Sequence, residues 1–113
     1  MIMNISNAEH YLWGDDCAGW HLLKTDALSV IQEKMPPATK EVYHYHESAE
    51  QVFYVLSGVA TFLVDGAEII AKSRDSLHIA PKTPHCIMNN SDADLDFLVI
   101  SSPKAHGDRV PVD

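Results

Sequence analysis

The sequence is short of several things that would direct its interpretation elsewhere. It has only 2 cysteines, Cys17 and Cys86, with no CxxC spacing, so it carries no disulfide framework, and a reducing cytoplasm is the expected compartment. It has only 8 Lys and Arg, scattered, against 16 Asp and Glu. A net charge of -8 excludes a phosphate-binding nucleic-acid surface, which needs clustered cations. No apolar run approaches the roughly 20 residues of a membrane span. The opening Met1-Ile2-Met3-Asn4-Ile5-Ser6-Asn7 lacks the basic start and apolar stretch of a secretory signal. Low-complexity segments, internal repeats and sustained 3.6-residue periodicity are also missing, so long helices are not expected.

What is present is a regular series of short apolar runs separated by turn residues. Pro36-Pro37, Ser57-Gly58, Asp65-Gly66, Pro81 with Pro84, Asn90-Ser91-Asp92 and Pro103 mark turns or loops. Runs rich in Val, Ile, Phe and Tyr lie between them, at 28–35, 41–46, 52–56, 60–64, 77–80, 86–89 and 95–101. Short strands spaced near ten residues indicate an all-β sandwich or barrel. Two hairpins are expected, one at Ser57-Gly58 between 52–56 and 59–64, the other at Asp65-Gly66, a favoured tight-turn pair, between 59–64 and 67–71. The 113 residues make one domain the natural expectation: a barrel core at about 28–101, an N-terminal extension at 1–20 and a C-terminal tail at 103–113. The first 20 residues carry the weakest signal; 6–9 suggests one short turn, and Trp13 and Trp20 are expected on the barrel's outside or end.

Chemistry concentrates in histidines. In His44-Tyr45-His46 alternate side chains share a face, so both imidazoles project together, opposite Tyr43 and Tyr45. Two imidazoles roughly 6–7 Å apart along a strand can converge on one ion. Gln51 opens the next strand, with Phe53 and Val55 on its face, and His85 follows the stiff Pro81-Lys82-Thr83-Pro84 segment. Taken alone, HxH is equally compatible with surface or core histidines. His10, His21 and His106 carry that ordinary reading, whereas His78 lies on a strand leading to the site and is a candidate to line its cavity.

These residues resemble the cupin superfamily. Its first motif is a Gly, then HxH, a Glu and a Gly, a spacing that 38–58 follows through His44, His46, Gln51 and Gly58. Its second is matched by Arg74-Asp75, Ala80-Pro81-Lys82-Thr83-Pro84-His85 and Asn89. Ala38, Arg74 and Lys82 stand where the motifs have glycine, which should alter turns and spare the barrel. Gln51 stands at the spacing of the motif's glutamate ligand, counted back from Gly58. Glu50 is one position off, which on a strand is the opposite face unless a bulge intervenes. The resemblance implies a double-stranded β-helix, or jelly-roll barrel. It implies one divalent transition metal (Zn, Ni, Fe, Mn or Cu) on His44, His46, Gln51 and His85, with positions open for water or a small-molecule ligand.

Two functions follow as expectations. One is a metal-dependent oxidoreductase of dioxygenase type, or an isomerase, acting on a small anionic molecule. Four neutral ligands leave the ion's full charge of about +2 to attract such an anion. The other is a non-catalytic binding or sensing module whose metal is structural or holds the ligand; an empty barrel serving as a dimer scaffold is a third. No general base sits at the right parity beside the site: Glu50 fails, and Tyr43, Tyr45 and Tyr54 face outward. Cys86 falls on the face opposite His85 and suits a buried structural thiol, and Asn89 suits a turn or hydrogen bonds behind the site. The tail at 103–109 is expected to be an exposed loop packing on the barrel or a partner. Val52, Tyr54 and Leu56 are apolar for an outward face and suggest a homodimer.

Overall fold

The computed structural model describes residues 1–112, and its regular structure is entirely strand. The strands are β1 (Glu9–Trp13), β2 (Cys17–Lys24), β3 (Ser29–Met35), β4 (Thr39–Lys40), β5 (His44–His46) and β6 (Glu50–Ser57). They continue with β7 (Val59–Val64), β8 (Ala67–Lys72), β9 (Ser76–Ile79), β10 (His85–Asn89), β11 (Leu95–Ser102) and β12 (Arg109–Pro111). One sheet runs β1-β2-β3-β11-β6-β9; the other runs β12-β5-β10-β7-β8, with β4 also on β10. Every registered pair is antiparallel. The two sheets face each other as a double-stranded β-helix.

Alternation drives this arrangement. Along β6, Gln51, Phe53 and Val55 are buried while Val52 and Tyr54 between them are only half so. Along β11, Leu95, Phe97, Val99 and Ser101 point inward in the same way. Phe62, Phe97, Met35, Ile87, Leu95 and Val55 are essentially without solvent contact and form the core between the sheets. The Phe53 ring meets Phe62 edge-on at 5.2 Å.

The turns bear out the punctuation, with one correction: 57–58 closes no hairpin, because β6 pairs with β11 and β9 in the first sheet while β7 pairs with β10 and β8 in the second. Asp65 and Gly66 both have positive φ (49° and 84°) and close the β7–β8 hairpin as the Asp-Gly pair predicts. Gly58 has φ of 88°, and a Cβ there would sit 2.6 Å from the Asp94 carbonyl, so only glycine fits. Ala38, Arg74 and Lys82 stand where the motifs have glycine. All three adopt the left-handed conformation (φ 61°, 74° and 66°) that the motif's glycines would take without strain.

The ends of the chain hold more structure than their composition suggests. The first 24 residues add two strands to the edge of the first sheet after a turn at 5–8. Trp13 packs against the core, and Trp20 stacks on His10 at 5.1 Å. In the tail, 103–108 is a largely exposed loop bonded to the barrel through Lys104 and Asp108, as expected, and only from Arg109 does the chain become a strand, 109–111, paired with β5.

Candidate metal centre

The strands converge three imidazoles at one end of the barrel. His44 and His46 leave β5 on one face, and His85 opens β10 directly opposite His44 in register. All three are buried, at 3%, 6% and 1% exposure, and their ligand atoms lie within 4.8 Å of one another. Ring centroids are 4.9 Å apart for His44 and His46 and 4.6 Å for His44 and His85.

The surroundings set which nitrogen is free. His44 Nδ1 donates to the Val42 carbonyl at 2.7 Å, and His85 Nδ1 to the Thr83 carbonyl at 2.8 Å. A neutral ring that donates through Nδ1 keeps a lone pair on Nε2, the usual arrangement of a histidine metal ligand. Burial holds all three histidines below the ordinary value of 6.5, His44 down to about 3, so they are neutral at pH 7. His46 Nδ1 is buried without a partner. Gln51, also buried, donates from Nε2 to Ser101 Oγ at 3.0 Å, which turns its Oε1 toward His85 Nε2, 3.1 Å away. Three neutral imidazoles and an amide are thus gathered in one buried place, a set of nitrogen and oxygen donors that fits a metal.

Glu50 points elsewhere. It is exposed on the outer surface, where its Oε2 lies 3.0 Å from the equally exposed His78 Nε2. His78 therefore does not line the cavity. Cys86 is buried on the other face with its thiol pKa raised by burial. Asn89 is on the His85 side but at the far end of β10, where it donates to the Met35 and Ala93 carbonyls and accepts from Ser91. It ties down a turn instead of backing the histidines.

The expectation that no acid or base accompanies the histidines is overturned. A cavity of about 700 Å³ opens over His44 and His46, and Tyr11, Glu33 and Glu41 line it together with these two and Gln51. Tyr11 donates its hydroxyl to Glu33 Oε2 at 2.8 Å. The phenol lies across Gly19, where a Cβ would fall 2.2 Å from the ring, so glycine makes the groove that admits it. Register explains the contact, because Tyr11 faces Gly19 and Gly19 faces Glu33 across β1, β2 and β3. Burial raises Glu33 to about 7 and Glu41 to about 8 from the ordinary 4.5. Glu41 Oε1 is buried without a hydrogen-bond partner and lies 3.9 Å from His44 Nδ1. Alternation through Ser29, Ile31, Glu33 and Met35 could have revealed Glu33 as an inward residue. Glu41 lies between β4 and β5, where no period applies. His21 and His106, read as ordinary histidines, also line the cavity, with Lys24, Lys104 and Arg109.

Residues 31–101 match the family model of the cupin domain. An uncharacterized protein of Methanocaldococcus jannaschii is 32% identical over 75 residues, 66% of this chain and 60% of that protein, so the match spans well under two thirds of the relative. An oxalate-binding protein of Thermotoga maritima is 28% identical over 71% of this chain and 70% of its own length. Among solved structures, a predicted oxalate decarboxylase of Thermotoga maritima superposes with a TM-score of 0.82 at 24% identity, covering 92% of this chain and all of that one.

Proposed function

This chain belongs to the cupin family, and we propose that it holds one divalent transition metal on His44, His46, His85 and Gln51 and moves a proton on a small oxygen-rich molecule bound beside it. The observation that carries the proposal is the Tyr11–Glu33 hydrogen bond inside the same cavity that His44, His46 and Gln51 line. When bound, the metal supplies Lewis acidity toward ligand oxygens. Glu33, half-way through its titration near pH 7, takes a proton from the ligand and returns one to it, and Tyr11 steadies the carboxylate by donating to it. The exchange is redox-neutral and of isomerase type, and it needs no co-reactant.

Glu33 and Glu41 also revise the ligand's chemistry. Burial keeps much of their carboxyl population protonated, and a protonated carboxyl donates a hydrogen bond to oxygen, so hydroxyl or enolisable carbonyl groups suit the cavity. A binding module remains the second reading, favoured by the oxalate-binding relative. Incubating metal-loaded protein in D₂O with small hydroxy-carbonyl compounds, and following loss of the C–H signal by NMR, separates the two. Exchange by the native protein that Glu33→Gln abolishes supports the enzyme; binding without exchange supports the module. We also propose a homodimer in the cytoplasm. The exposed Ile69 and Ile70 on β8, an edge strand, support the dimer, and sedimentation at micromolar concentration tests it.

A further inference from the structure

β5 carries two of the histidines but is only three residues long. On one side it meets β10 at a single registered pair, His85 with His44. On the other it is held by three pairs, all from the C-terminal segment: Arg109 with His46, Val110 with Tyr45 and Pro111 with His44. Val112 extends this edge by donating its N–H to the Tyr43 carbonyl at 2.9 Å. The loop after β5 has the same dependence. Asp108 Oδ2 accepts the N–H of Ser48 at 3.0 Å and of Ala49 at 2.9 Å, across some sixty residues of sequence. These two amides sit between His46 and Gln51.

We propose that Asp108 is a positioning residue for the metal centre, a latch whose carboxylate ties the 47–49 loop to the C-terminal strand and so sets the distance between His46 and Gln51. The physical reason is local. A three-residue connection between two ligand-bearing strands has many backbone arrangements, and the single carboxylate oxygen that binds two consecutive N–H groups selects one of them. The same segment contributes Lys104, Ala105, His106, Gly107 and Arg109 to the cavity wall, so the latch also fixes the wall over the histidines. The inference rests on the metal reading above and extends it to a residue that would touch neither metal nor ligand.

The test uses the full chain, Co(II) as probe, and two readouts: Co(II) affinity from its visible absorption in competition with a chelator, and amide hydrogen exchange of Ser48 and Ala49. Asp108→Ala should weaken Co(II) binding by about tenfold or more, the usual effect of losing a supporting group. It should expose both amides to exchange while the core amides of β6 and β11 stay protected. Asp108→Asn keeps an acceptor oxygen without the charge, so it should recover part of the affinity and stay folded even where the alanine variant does not. Native affinity in Asp108→Ala with both amides deprotected would overturn the latch, as would amides that stay protected without the carboxylate. Native protein that binds no Co(II) at all would instead fail the metal reading, and the latch with it.

Discussion

The two ends of the barrel interior are built from the same strands and differ in every respect that matters for function. β6 runs inward from Gln51 through Phe53 to Val55, β10 from His85 to Ile87, and β11 from Ser101 through Val99 to Phe97 and Leu95. β6 and β11 are polar at one end and apolar at the other, and β10 continues past Ile87 to Asn89, whose amide is satisfied by the Met35 and Ala93 carbonyls. At the apolar end the side chains fill space and leave little to adjust. At the polar end the buried groups carry lone pairs without donors and a cavity takes the place of packing. One end supplies stability, and the other spends some of it to keep histidines neutral and carboxyls out of water.

The largest effect expected from this contrast is at the apolar end. Phe97→Ala should cost about 3–5 kcal/mol by urea denaturation, because the ring is fully buried and the rigid sheets cannot close the gap. His85→Ala should abolish metal binding in a titration while costing metal-free protein less than half as much. Equal stability costs at both ends would erase the distinction.

Next in size is pH dependence, which belongs to the polar end alone. Glu33 is raised from 4.5 to about 7, so between these values the folded state holds a proton that the unfolded chain has released. Its contribution to stability is therefore lost as pH rises through that window. His44 is lowered from 6.5 to about 3, so its contribution is lost as pH falls from 6.5 toward 3. The two oppose each other between pH 4.5 and 6.5, and the carboxyls dominate above it. Metal-free protein should melt at progressively lower temperature from pH 6.5 to 8, and Glu33→Gln should flatten that slope. An unchanged slope would mean that Glu33 is ionised in the folded protein.

Much of this contrast is legible in the sequence. Alternation in 52–56 and 95–101 predicts the apolar inner faces, and the HxH parity with the count back from Gly58 brings His44, His46 and Gln51 to one face. The second histidine region enters through the resemblance of the 74–89 stretch, and register then sets His85 against His44. What stays hidden depends on long-range pairing. Tyr11 reaches Glu33 only because β1 and β2 lie beside β3, and nothing in residues 1–24 states that partner. β12 is a strand because β5 offers it an edge, not because Arg109-Val110-Pro111 favours one. Glu41 is held in a loop, where no periodicity reports direction.

The smallest expected effect concerns the turns. Lys82, Arg74 and Ala38 each hold a positive φ that costs a side-chain-bearing residue roughly 1 kcal/mol or more. Replacing any one with glycine should stabilise the protein by about 0.5 kcal/mol, once glycine's greater unfolded freedom is subtracted. Lys82→Gly is the sharpest case, because its N–H bonds the His46 carbonyl at 2.7 Å and ties the turn to the polar end. A destabilised Lys82→Gly would show that its side chain supports that end.

The central claim is that one ion is shared by His44, His46, His85 and Gln51, with Glu50 outside the set. Elemental analysis and Co(II) titration of native protein beside Glu50→Ala and Gln51→Ala test it most directly. The account predicts one ion per chain in the native protein, the same in Glu50→Ala, whose side chain faces solvent and His78, and sharply weakened binding in Gln51→Ala. Metal lost from Glu50→Ala and retained by Gln51→Ala would contradict it.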